Sequence, residues 1–208
     1  MKALQGIAAR DTGVAFEKQI ERSFEAYAKI GRAYLDFMPI PMTPCGIRHP
    51  HTKAPLYIPK GKAPFDIYGH APVETDATKD QKRLSLFVGA ELKASNKPET
   101  SLAIVKPDAH ASGLAYHQLA ALALVARLGG IARIVWDNGG QIGVLGNDEV
   151  LAAHAIYEAS LQTELRGKGR GPSGARSIRW ENFRVVDFGN VGGVVCVDWL
   201  KLDGGRCA

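Results

Sequence analysis

At 208 residues, 46% of them hydrophobic, the chain is long enough for one domain with a real core, and its formal net charge is +5. No apolar run approaches the ~20 residues of a membrane span, and Met1-Lys2-Ala3-Leu4-Gln5 lacks a signal peptide's apolar stretch, so a cytoplasmic protein with no membrane partner is expected. The cysteines, Cys45, Cys196 and Cys207, form no Cys-x-x-Cys pair, which argues against a disulfide framework and against structural zinc.

Residues 13–30 read as a helix, because Phe16, Ile20, Phe24, Tyr27 and Ile30 recur at helical spacing before Gly31. Thr12 is placed to cap its start. Glu17, at the edge of the apolar row, is either a surface residue or one that reaches inward. Residues 33–37 read as a strand. Pro39, Pro41, Pro44, Pro50, Pro55, Pro59 and Pro64 then exclude helix and interior strand. Within that stretch, residues 56–58 are expected to pair with residues near 38–43 as a two-stranded arm. His49 and His51 flank Pro50 there, without the further ligands a zinc site requires.

Residues 63–69 read as a short apolar strand containing one carboxylate, Asp66. Asp is poorly suited to strands, so it is either a functional group or a turn residue ahead of Gly69. Residues 75–83 read as a polar loop and 84–94 as a strand. Leu84, Leu86, Val88, Ala90 and Leu92 form a core face, and Glu91 and Lys93 share the opposite face. A turn at 95–98 leads to a strand at 101–105. Residues 114–128 read as a helix stopped by Gly129-Gly130. Gln118 continues the buried stripe of Leu122 and Val125, and either points at something polar inside or meets water at the helix end. Residues 131–136 and 141–145 bracket Asp137-Asn138-Gly139-Gly140, a hairpin signal. A helix over 148–165 is expected with Asn147 as its cap. Strands over 183–188 and 194–202 follow, separated by 189–193.

Asp66, Glu91 and Lys93 have the form of an Asp … Glu-x-Lys nuclease site. Two carboxylates from neighbouring strands can hold a hard divalent cation, and the adjacent ammonium can orient the attacking water or offset charge on the scissile phosphate. Glu-x-Lys on a strand is more often a solvated polar edge; here the opposite face is a continuous core face. Basic residues add to the pattern. Lys29, Arg32, Arg48, Lys53, Lys60 and Lys62 stand against Asp36 alone, and a second cluster holds Arg166, Lys168, Arg170, Arg176 and Arg179. Two one-sign clusters flanking the site point to phosphate contacts. The candidate DNA-contacting residues are Arg10, Arg48, Lys53, Lys60, Lys62, Lys168, Arg170 and Arg176.

Several segments, in order, resemble the RecU family of Holliday junction resolvases, within the restriction-endonuclease-like nucleases. Gly13-Val14-Ala15-Phe16-Glu17 is similar to that family's Gly-x-x-Phe/Leu-Glu, and the run from Tyr34 to Pro44 to its strand leading into a stalk base. Glu91-Leu92-Lys93 is similar to its Glu-Ala-Lys, His117-Gln118 to its His-Gln, and Gly129-Gly130-Ile131 to its Gly-Gly-Ile. Gly174-Ala175-Arg176-Ser177-Ile178 and Val197-Asp198-Trp199-Leu200 resemble its late basic-Ser-Ile and terminal segments. The chain departs from the family at Pro64, where a metal-associated Thr is usual, in the insert at 71–83, and in the long helix at 148–165. These departures mark a divergent member, with a phage origin open.

The resemblance implies an α/β fold: a restriction-endonuclease-like core, as one nuclease domain over 1–208, with a central mixed sheet flanked by helices and a proline-rich stalk at about 40–63. It implies a homodimeric, Mg²⁺-dependent endonuclease, with Mn²⁺ as a substitute ion. Such an enzyme nicks four-way junction DNA symmetrically and leaves 5′-phosphate ends. The implied catalytic residues are Asp66, Glu91, Lys93, Gln118 and Glu17, with Asp66, Glu91 and Gln118 at the metal. A recombinase is a candidate partner, and the host cytoplasm the location of a phage-encoded form. Two alternatives stay open: another nuclease of the same fold acting on flaps, ends or duplex, and an inert DNA-binding or recombinase-regulating module.

Overall fold

The structure, a computed structural model, describes residues 2–39, 42–48, 55–59, 63–72, 85–105, 113–165 and 176–200; for 2–12, 42–48, 55–59 and 164–165 it describes the backbone alone. Helix α1 (Lys2–Lys29) begins well before residue 13. Ala3, Leu4, Gln5, Ala8, Ala9 and Arg10 are strong helix formers with no proline among them, so Thr12 lies inside the helix and does not cap it. Gly31, at φ +68°, ends it in the left-handed conformation.

Strand β1 (Tyr34–Phe37) follows. Strands β2 (Met42–Arg48) and β3 (Pro55–Pro59) form an antiparallel sheet of their own, with Thr43 opposite Ile58. The expected pairing of 56–58 with residues near 38–43 holds only in part: the partner strand is 42–48, overlapping that range at Met42 and Thr43, and the Met38 N–H bonds to the Asp66 carbonyl instead. Its prolines are tolerated because both strands of a two-stranded ladder are edges. Next come β4 (Ile67–Pro72), β5 (Ser85–Ser95), β6 (Ser101–Val105), β7 (Leu114–Ala115), α2 (Tyr116–Arg127), β8 (Ile131–Asn138), β9 (Gln141–Leu145) and α3 (Asn147–Leu165). After β10 (Ser177–Arg179) and a 3₁₀ turn at Trp180–Asn182 come β11 (Arg184–Val186), β12 (Phe188–Val191) and β13 (Val194–Val197).

The described residues form an α/β fold with three α-helices and a mixed six-stranded sheet in the order β1-β4-β5-β8-β9-β11. The β5–β8 pair is parallel and its neighbours are antiparallel. The sheet lies between helices. Val88, Ala90 and Leu92 of β5 pack with Phe16, Ile20 and Tyr27 of α1. On the other side, Ile134 and Trp136 of β8 pack with Leu119 and Leu122 of α2 and Tyr157 of α3. No described helix is long and apolar enough to cross a membrane.

Three connections differ from the sequence reading. The β8–β9 hairpin turns on Gly139 and Gly140 alone, both at positive φ, so Asp137 and Asn138 belong to the strand. The expected strand over 183–188 splits at Asp187: β11 pairs with β9, and β12 pairs with β13. The last strand ends at Val197 because the next residues clamp onto α1. Asp198 accepts hydrogen bonds from Arg32 at 2.8 Å and Tyr27 at 3.0 Å, and the Trp199 indole donates to Ser23 at 2.7 Å.

Asn147 does not cap α3 with its side chain. Its Oδ1 accepts the Ala132 N–H at 2.8 Å and its Nδ2 donates to the Gly130 carbonyl at 2.7 Å, which ties α3 to the start of β8. The capping contact runs from the Gly146 N–H to the Glu149 carboxylate at 3.0 Å. Asn147→Ala leaves the buried Ala132 N–H without that acceptor. We expect a loss of about 1–3 kcal/mol in unfolding free energy, measured by urea denaturation, with Asn147→Asp less affected because it keeps the acceptor.

Candidate active site

Strand β5 lies inside the sheet between β4 and β8, and its alternation decides where Glu91 and Lys93 point. Leu92 joins the core under α1, so Glu91 and Lys93 face α2. There the Lys93 ammonium lies 2.6 Å from Glu91 Oε1. Gln118, in the first turn of α2, donates from Nε2 to the same oxygen at 2.5 Å, and its Oε1 accepts from Lys93 at 3.5 Å and from the Ala115 N–H at 3.0 Å. The buried stripe of α2 therefore delivers Gln118 to a polar target, as its spacing predicts. Its oxygen, expected at the metal, is here engaged by two donors, and the amide bridges Glu91 and Lys93.

Asp66 lies in a bend immediately before β4, outside the strand expected over 63–69. Its N–H donates to the Ala90 carbonyl at 3.0 Å, and its carbonyl accepts the Met38 N–H at 2.7 Å. Its Oδ2 accepts the Leu92 N–H at 2.8 Å. Three backbone contacts thus fix this carboxylate beside Glu91, which explains an Asp between Phe65 and Ile67. Glu17 stands at the surface of α1 within electrostatic reach of Asp66; partial burial and then the Asp66 charge raise its pKa.

Glu91 is the unusual group. Its side chain is 0% exposed, and its Oε2 has no hydrogen-bond donor among the described residues. Burial pushes its pKa up to about 8. The Lys93 charge pulls it down less strongly, and the nearby Asp66 carboxylate pushes it up again. Two neighbouring carboxylates, one fully buried with an unused oxygen, fit a divalent cation. Among the described residues no three His, Cys, Asp or Glu side chains gather into a metal cluster. One or two carboxylates, completed by water and phosphate oxygens, is the usual protein contribution to Mg²⁺.

The basic residues are less gathered. Arg10 lies in α1, Arg48 in β2, and Arg176, exposed, just before β10. Lys53, Lys60, Lys62, Lys168 and Arg170 lie outside the described residues, as do His49 and His51. Arg32, read from the sequence with the basic cluster, is held bidentate by Asp198, and Arg179 pairs with Glu181 at 3.2 Å.

Neither comparison identifies the chain: no protein-family model matches it, and no curated protein matches it significantly. The site therefore stands on its own geometry. Sequence reasoning did not find the Ala115 N–H contact or the pinning of Asp66 by Leu92, because both are backbone donors that no residue type reports.

The raised Glu91 pKa has a consequence for stability. In metal-free protein the folded state binds this proton more tightly than the unfolded state, whose value is near 4.5. The stabilisation is complete below that value and is lost as pH rises through about 8. With chelator present, the Tm of the wild type should fall, relative to Glu91→Gln, between about pH 5 and pH 8. A difference that stays flat or reverses over that range contradicts the environment assigned to Glu91.

Proposed function

We propose that this protein is a divalent-metal-dependent endonuclease whose substrate is four-way junction DNA. The observation that supports it most is the fully buried Glu91 carboxylate, with an unused oxygen beside Asp66 and with Lys93 and Gln118 bonded to its other oxygen. Asp66 and Glu91 are the residues that would hold Mg²⁺, or Mn²⁺ in its place. A bound cation supplies charge stabilisation at the phosphate and a water of lowered pKa.

The remaining steps belong to the chain. Lys93, whose side chain is 21% exposed, pairs with Glu91 at the edge of the buried site. It can donate to a non-bridging phosphate oxygen, or orient the attacking water, as charge builds in the transition state. Gln118 keeps Glu91 and Lys93 in mutual register, so neither has to reorganise during the reaction. Glu17, near Asp66, is a candidate acceptor for water at the rim. Its removal should reduce cleavage only partly.

The choice of a four-way junction rests on the resemblance to RecU-like resolvases and on the proline-rich β2–β3 ladder. A homodimer suits that substrate, since a two-fold junction presents two equivalent strands to two equivalent sites. In this reading the basic segments grip phosphates on the junction arms and a recombinase is a candidate partner. A nuclease acting on flaps, ends or duplex would use the same residues.

The test is purified protein on a synthetic mobile junction, a matched duplex and a flap. We expect paired symmetric nicks with 5′-phosphate ends on the junction, abolished by chelator and restored by Mg²⁺ or Mn²⁺. Asp66→Ala and Glu91→Ala should bind the junction yet cut it about 10²-fold or more slowly, and Lys93→Ala should behave alike. Normal turnover by the Asp66 or Glu91 variant rules out the site; equal cutting of duplex and junction rules out the substrate.

A further inference from the structure

Gln118 reaches Glu91 only if the first turn of α2 is held at one rotation, and the capping contact at that turn, from the Ala115 N–H, runs to Gln118 itself. The residue before that turn is Ala115, which offers no acceptor to the first-turn N–H groups. The further side-chain contacts of that turn lie on α3, which carries none of the candidate site residues. Tyr116 stacks on Tyr157, with ring centroids 5.0 Å apart, and on His154 at 6.0 Å. Its hydroxyl donates to Glu158 Oε1. At the other end of α2, Arg127 lies 3.2 Å from His154 Nδ1, so α3 grips both ends of this helix.

From this arrangement we infer that Tyr116 is a positioning residue for the candidate site: bonded to Glu158 and stacked on Tyr157, it fixes the rotation of α2 that lets Gln118 bridge Glu91 and Lys93. The inference rests on the nuclease reading of that site. Residues two apart lie about 200° apart around a helix, so Tyr116 faces α3 while Gln118 faces β5. A rotation of about 20° moves a side-chain tip about 6 Å from the axis by about 2 Å. That takes the Gln118 amide out of hydrogen-bond range of Glu91. Glu158 is 38% exposed, so water can replace the tyrosine hydroxyl there, and losing this bond should cost the fold little.

The test measures junction cleavage and Tm together. Tyr116→Phe and Glu158→Ala should each lower kcat about tenfold with KM and Tm unchanged. Glu158→Gln, which keeps an acceptor oxygen, should stay near the wild-type rate. Gln118→Ala should lose rate as well, and the Tyr116→Phe, Gln118→Ala double variant should lose no more than Gln118→Ala alone, because the tyrosine acts through the glutamine. Full kcat in Tyr116→Phe, or additive losses in the double variant, overturns the inference. Should Tyr116→Phe fail to fold, the Glu158 pair decides by the same criteria. Asp66→Ala, measured alongside, separates the two levels: a full rate there overturns the nuclease reading itself, whereas loss there with full rate in Tyr116→Phe overturns only the role of Tyr116.

Discussion

A carboxylate buried in the middle of a sheet is the constraint on which the rest of this site depends. Taking an ionised group out of water costs several kcal/mol even after the protein relaxes. Glu91 is fully buried on an interior strand, and only one of its oxygens is matched by donors, from Lys93 and Gln118. Its other close neighbour is a second carboxylate. An arrangement chosen for stability alone would place an apolar residue there, as it does on the other face with Ala90 and Leu92. The retained cost is understandable if a cation completes the site, and this is the physical basis of the proposed activity.

The scaffold holds each participant by a rigid element. β4 and β8 flank β5 on both sides, so Glu91 and Lys93 are set by a hydrogen-bonded strand and not by a loop. Asp66 is anchored through its own N–H, carbonyl and side chain to β5 and to the end of β1. Gln118 arrives from α2, whose position depends in turn on its contacts with α3. The clamp of Asp198, Trp199 and Leu200 on α1 closes the opposite side of the sheet. Sites built on central strands and packed helices hold geometry better than sites on loops.

Much of this was legible in the sequence because it follows from periodicity. Period two separates Glu91 and Lys93 from Leu92, and helical spacing puts Gln118 on the stripe of Leu122 and Val125. The hairpin around Gly139-Gly140 reads from its turn chemistry. What was not legible depends on tertiary partners. Asn147 looks like a helix cap, but the Ala132 N–H and the Gly130 carbonyl claim its side chain. The start of α1 is set by helix propensity that carries no apolar period to mark it. The tail breaks at Asp187 because its two halves pair with different strands. No residue pattern singles out Tyr116, because its contacts come from α3.

The proposed activity requires Asp66 and Glu91 to hold a cation. Diffraction from crystals grown with Mn²⁺, using its anomalous signal, addresses that requirement without any assay of activity. A peak is expected within ligand distance of both carboxylates, with Glu91 Oε2 as one of the ligands. An ordered Mn²⁺ found only elsewhere, with Glu91 Oε2 satisfied by a protein donor or a water, would contradict it.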